Sequence, residues 1–249
     1  MKMLRILGEL IFPPRCVACG KRMAVEAECE AAYFCPECEA EWQREQLSQC
    51  PECFSEFYRC RCQPRTLQRA GVAAFVKLTP YIEGNRNSIT NRLISTMKHS
   101  PRKRPFAAAA ADLAPLVTVA LQESGEKSVG ETVLVHLPRA RRSVRKNGFD
   151  HARYLAKALS IATDIPHRKL LIRLRDGKEQ KKLSVSERIR NVKGAFAVRE
   201  NLTGLRILLV DDVVTTGASA SEAAKMLRAA GAAEVIVVAL SHTPKKSDT

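Results

Sequence analysis

Two short and almost wholly apolar runs stand late in the chain, Leu205 to Val210 and Glu234 to Leu240. Between them ASASEAAKMLRAA carries helical spacing and stops at Gly231. Runs of this length and purity predict buried parallel strands, and the pattern between them predicts a strand–loop–helix–strand unit. Another strand is predicted over Thr132–Val135. Near the start Leu4, Leu7, Leu10 and Ile11 recur at helical spacing and predict a short amphipathic helix. Glu9 breaks the apolar run there and no small-residue cleavage site follows, so an export signal is not expected. No later segment reaches the ~20 consecutive apolar residues of a membrane span. The alternation of strand and helix predicts an α/β fold with a mainly parallel sheet.

Composition divides this picture in two. A chain of 249 residues with 45% hydrophobic content can build one sizeable domain and a small one. The formal charge of +15 points to polyanions, whether nucleic acid or phosphorylated metabolites. Yet between Cys16 and Cys62 nine Glu face only five Lys or Arg. This stretch is acidic and the positive excess lies elsewhere, which predicts a module over residues 1–65 and a basic domain over 66–249.

All nine cysteines fall in the acidic stretch, as Cys16-x-x-Cys19, Cys35-x-x-Cys38, Cys50-x-x-Cys53 and Cys60-x-Cys62, with Cys29 left over. Close pairs on tight turns aim two thiolates at one ion, and four pairs supply two tetrahedral Cys₄ zinc sites. The simplest pairing is sequential; a crossed pairing satisfies the same spacing. With four sulfurs on each ion no position is open to water, so the zinc is structural. Without an export signal the thiols are expected to stay reduced in the cytoplasm.

The chemistry of the late unit lies where its first strand ends, at Asp211-Asp212-Val-Val-Thr215-Thr216-Gly217-Ala218-Ser219. Three hydroxyls, a glycine that admits close backbone approach and a helix N-terminus suit a phosphate. The adjacent carboxylates would repel that phosphate, but they can accept hydrogen bonds from sugar hydroxyls beside it. A ribose carrying a phosphate meets both requirements. The plain alternative is an aspartate capping the helix.

ILLVDDVVTTGAS resembles the signature that binds the phosphoribosyl donor PRPP in type I phosphoribosyltransferases. LIFPPRCVACG followed by paired cysteines narrows the likeness to the ComF family, linked to DNA uptake in natural competence. VHLPRARRSVRKNGFDHARYLAKAL and EQKKLSVSERIRNVKGAFAV resemble further segments of that family, so the likeness covers nearly the whole chain. It implies a sheet of the type I phosphoribosyltransferase kind behind a double zinc ribbon, PRPP bound with Mg²⁺, and partners among single-stranded DNA and other competence proteins. Many relatives carry Arg-Gly-Phe-Asn-Gln where this chain has Asn147-Gly148-Phe149-Asp150-His151. The arginine is absent there, with Arg145 and Lys146 next door.

Three basic clusters complete the candidates: Lys98 to Arg104, Arg139 to Lys146 and Arg173 to Lys182. The resemblance sets the second near the pyrophosphate of PRPP, while the third lies in a polar stretch long enough for a lid. Asp211 and Asp212 are therefore the expected catalytic pair. Thr215, Thr216, Gly217, Ala218, Ser219, Arg142, Arg145, Lys146 and Lys98 are the expected PRPP-binding residues. Gln180, Arg188 and Asn191 are candidates through the family pattern alone, and His151 is read as structural. The cysteine module together with residues 66–100, Gly71 to Ile94 at their centre, is expected to form a hood over the acceptor, and 241–249 a polar tail. The functional expectation is a PRPP-binding phosphoribosyltransferase of unknown acceptor, serving DNA uptake. The alternatives are a nucleic-acid-binding module on the same scaffold and a PRPP sensor without turnover. Aromatic content of 5%, with no aromatic in the basic clusters, disfavours binding through base stacking.

Overall fold

The computed structural model describes residues 13–23, 32–125, 130–176 and 185–244. The expected N-terminal helix, Cys29, Gln180, most of the expected lid and residues 245–249 of the expected polar tail lie outside these residues, while Ser241 and His242 of that tail belong to the last strand. A four-stranded parallel sheet runs in the order β1 (Ala74–Pro80), β6 (Glu234–His242), β5 (Arg206–Val214), β2 (Thr132–His136). A separate antiparallel pair joins β3 (Leu171–Arg173) to β4 (Phe196–Val198).

Alternation along the strands explains the layers. On β5, Leu208 and Val210 enter one core while Ile207 and Leu209 enter another across the sheet. The first core is closed by α3 (Ile89–His99), α4 (Lys103–Glu123) and α6 (His151–Thr163), through residues such as Leu93, Phe106, Leu113 and Leu155. The second is closed by α8 (Ala218–Ala229) and by α2 (Arg65–Arg69), through Ala223, Leu227 and Leu67. Among the described residues α4 alone is long and apolar enough to cross a membrane, but half of its apolar window is buried in the molecule.

The structure refines two expectations. The strand predicted to end at Val210 continues through Asp211 and Asp212 to Val214, because β6 pairs with it as far as Val214↔His242. The segment Gly71 to Ile94, expected as a hood, contains β1, which pairs with β6 from Ala74↔Ile236 to Pro80↔His242. Only its flanks stand free of the sheet. Lys77 disguises this strand: its ammonium is buried at 1% exposure and donates to the carbonyls of Cys60 (2.9 Å) and Cys62 (2.6 Å).

The cysteines form two groups, Cys16, Cys19, Cys35 and Cys38 in one and Cys50, Cys53, Cys60 and Cys62 in the other. Within each group the sulfurs lie inside 4.8 Å of one another, the sequential pairing. Such a set could hold a metal ion such as zinc. The module carrying them is seated on the sheet domain. Trp42, on α1 (Pro36–Gln46), donates to the Asp112 carboxylate of α4 at 2.6 Å. Glu45 of the same helix accepts from the backbone N–H of Ile89 (3.1 Å) and Thr90 (3.2 Å), which satisfies free donors at the start of α3.

Candidate active site

The cleft lies at the C-terminal ends of β2 and β5, where open α/β sheets present their loops. A cavity of about 320 Å³ there is lined by Asp211, Asp212, the stretch Thr215 to Ser219, Arg139, Arg142 and Arg173. Gly217 has φ 72° and caps α8, whose first turn follows at Ala218. The turn brings Thr215, Thr216, Ser219 and the start of a helix to the cavity wall, the makings of a cradle for an anion.

The two aspartates have different surroundings. Asp212 is 5% exposed, and both its oxygens accept from Nη1 of Arg139, at 2.9 and 3.1 Å. Lys98, in the last turn of α3, adds a cation 3.8 Å away. Burial alone would push the Asp212 carboxyl up, but Arg139 and Lys98 outweigh it and hold the group well below the usual carboxylate range. Asp211 is half-buried, and burial together with the neighbouring Asp212 charge pushes its carboxyl well up. One of its oxygens accepts from the backbone N–H of Asp212 at 2.9 Å. Asp212 is thus held as the anion of the site, and Asp211 carries the more easily protonated carboxyl of the two.

The positive wall is built by backbone geometry. Arg139 stands three residues after the end of β2, and its N–H donates to Asp150 at 3.0 Å, the residue whose side chain also caps α6 through Arg153 N–H at 3.4 Å. In α5 (Arg141–Asn147) the N–H groups of Arg141 and Arg142 donate to the Asp176 carboxylate at 2.8 and 3.0 Å. Arg173 lies over the Phe196 ring at 5.2 Å and reaches Pro138 O at 3.4 Å; burial lowers its pKa.

Of the residues expected to bind PRPP, Arg142 and Thr215 to Ser219 line this cavity. Lys98 reaches the site through Asp212. Arg145 and Lys146 do not line it: they share the helix face of Arg142 but lie one turn farther along α5, where they are exposed. Arg139 and Arg173, which open two of the basic clusters, line the cavity as well, and Arg173 does so as the last residue of β3 rather than from a lid. The only signal for Arg139 in the sequence was its place shortly after a predicted strand. Arg188, on α7 (Val185–Val192), donates to the Thr215 hydroxyl at 3.4 Å. In place of the missing family arginine, Asn147 Nδ2 stands 3.2 Å from Nε2 of the wholly buried His151.

A second cavity of about 800 Å³ adjoins the first and shares Arg139, Asp212, Thr215 and Thr216 with it. It opens on the other side, toward β1 and β6, and is bordered by Tyr81, His242, Arg69 and, from the cysteine module, Glu52.

Three imidazoles are buried in the domain, His136, His151 and His242, and the last of them borders the second cavity. Burial pushes His136 down to about 3 and both His151 and His242 down to about 4. The unfolded chain takes up these protons near pH ~6.5 and the folded chain does not, so stability must fall as pH drops below that value. The loss is about 1.4 kcal/mol per pH unit for each imidazole until its folded pKa is reached. Thermal midpoints measured from pH 7 to pH 5 should decline steadily; a flat profile would show that these rings are protonated in the fold.

Comparison with known proteins agrees with this geometry. The family model described as phosphoribosyl transferase domain matches residues 143–248. Competence protein F of Haemophilus influenzae is 34% identical over 101 residues, 39% of this chain and 44% of that protein. The DNA utilization protein YhgH of Salmonella typhimurium is 34% identical over 155 residues, 61% of this chain and 66% of that protein. YhgH of Escherichia coli K12 is 34% identical over 111 residues, 44% of this chain and 49% of that protein. The matched stretches thus span between 44% and 66% of these relatives' lengths.

Proposed function

Because this chain belongs to the ComF family, with Competence protein F and the YhgH DNA utilization proteins, we propose that its cleft binds PRPP and that the protein serves DNA utilization in competence. The observation that carries the reading is the meeting of an anion cradle, a carboxylate pair and an arginine wall in one cavity. Thr215 to Ser219 would hold the ribose phosphate through hydroxyls and helix N–H groups. Asp211, half-buried at the cavity edge, would accept from a ribose hydroxyl. Arg139, Arg142 and Arg173 would draw charge from the departing pyrophosphate, a preorganised electrostatic role. Mg²⁺ bound with the donor would supply further charge neutralisation, and the carboxylates and the donor's own phosphates suit a hard cation.

The second cavity supports a place for the acceptor. It shares the sugar-side residues Asp212, Thr215 and Thr216 and lies across them from Arg142 and Arg173. The acceptor itself, and turnover, are open to direct assay. Zinc in the two Cys₄ groups, a structural role for both ions and a compartment that keeps thiols reduced complete the proposal.

Asp211→Asn tests the ribose contact with little structural cost, since an amide oxygen can still accept from the Asp212 N–H. A hydrogen bond contributes about 0.5–1.5 kcal/mol, so PRPP with Mg²⁺ should bind roughly twofold to tenfold more weakly in calorimetric titration. Ribose 5-phosphate and inorganic phosphate serve as controls. Equal affinity in a folded variant would remove Asp211 from the site.

The net charge of +15 favours one further reading, phosphate-mediated contact with single-stranded DNA. Failure of the wild-type protein to bind PRPP, together with steeply salt-dependent DNA binding, would favour it.

A further inference from the structure

The second cysteine group is tied to the phosphate loop by a very short piece of chain. Cys60 and Cys62 offer their carbonyls to the buried ammonium of Lys77 on β1, so the end of the cysteine module is fixed to the sheet. Four residues after Cys62, the Thr66 hydroxyl donates to the carbonyl of Thr216 at 2.6 Å. The Ser221 hydroxyl, in the first turn of α8, donates back to the carbonyl of Thr66 at 2.9 Å. Two reciprocal bonds therefore clasp α2 to the loop and to the helix start behind it. The packing is tight as well: a Cβ on Gly217 would stand 2.8 Å from Thr66 Oγ1 and 3.1 Å from Cγ of the fully buried Leu67.

This arrangement leaves the loop little freedom. Gly217 is required twice, for its left-handed backbone and for the space Thr66 occupies. The Thr216 carbonyl, pinned by Thr66, fixes the peptide plane whose N–H belongs to Gly217, a residue that lines the cavity. The cysteine group cannot shift without moving Thr66, because only Gln63, Pro64 and Arg65 separate that residue from Cys62 and the proline stiffens the link.

We infer that Thr66 is a positioning residue for the phosphate loop, and that the Cys50, Cys53, Cys60 and Cys62 group, when it holds its metal, keeps Thr66 in place. The cysteine module is then part of the construction of the anion site, and loss of the second metal loosens a loop in the sheet domain. The functional meaning of this clasp rests on the phosphoribosyl reading, but the clasp itself does not.

The test measures amide hydrogen exchange in the full, zinc-loaded chain, reading the hydrogen-bonded amides from Ser221 onward at the start of α8. Amides of β5 and β6 serve as the internal reference. In Thr66→Val the shape is kept and the hydroxyl lost, so exchange at the start of α8 should rise about tenfold, the upper range for one hydrogen bond. Thr66→Ser should restore it, and β5 and β6 should not change. Cys62→Ser should raise exchange at the same amides at least as much. PRPP affinity should fall with each increase. Unchanged exchange in Thr66→Val, or a rise spread equally over β5 and β6, would overturn the inference. If exchange responds as expected while the wild-type protein binds no PRPP, the clasp stands and the phosphoribosyl reading falls.

Discussion

Replacing Arg139 by methionine is expected to destabilise the protein by about 3 kcal/mol, the lower end of the cost of breaking a buried ion pair. The argument is electrostatic. Asp212 keeps only 6% of its side chain exposed and Arg139 26%, so the remaining carboxylate could not recover its hydration. Lys98, 3.8 Å away, retains part of the compensation, and this keeps the effect from reaching the top of the range. Urea unfolding provides the measure, and a second variant gives the sign of the mechanism. Adding Asp212→Asn to Arg139→Met removes the stranded charge and should recover a large part of the loss, a coupling that a double-mutant cycle reads directly. Simple additivity of the two changes would mean that the pair is solvated and that the wall of the cleft is set by something else.

Stripping the metals should unseat the cysteine module, and the chain carries its own reporter for that event. Trp42 is the only tryptophan, 1% exposed, stacked on Phe34 with ring centroids 5.4 Å apart and bonded to Asp112. A Cys₄ zinc site contributes an apparent ~10–16 kcal/mol, far more than a module this small recovers from burial. Chelation, or Cys16→Ser, should therefore release zinc and shift tryptophan emission to longer wavelength as the ring enters water. The far-ultraviolet signal of the sheet domain should fall only slightly. Full zinc content with unshifted emission in Cys16→Ser would take that sulfur out of the ligand set.

Local strings were the legible part of the sequence. The run into Asp211-Asp212, the hydroxyl-rich turn and the helix behind it occupy one continuous segment, so pattern alone located the phosphate loop and two central strands. The cysteine groups were legible for the same reason, since each pair declares its turn. The arginine wall was not. Arg139, Arg142 and Arg173 reach the cavity of Asp212 only through chain reversals, and a cluster such as Arg139 to Lys146 does not announce which side chains line it. Arg142 lines the cavity, while Arg145 and Lys146 stand one helical turn beyond it on the same face. β1 was hidden by Lys77, a charge in a fully buried strand position that is satisfied by carbonyls from another module. Thr66 had no signal at all, because its partner lies 150 residues away.

The order of the strands also bears on how the chain is made. β1 is synthesised early, yet it pairs only with β6, the last strand, through contacts such as Val76↔Val238. At ~5–20 residues per second, a ribosome needs on the order of ten seconds or more between the two. During that interval the apolar edge of β1 has no partner. The cysteine module, complete by Cys62, can meanwhile fold around its ions and hold Lys77 from the side. Metal supply during translation then bears on yield: in zinc-starved cells the nascent chain would meet the holdase chaperones with both its first module and its first strand uncovered.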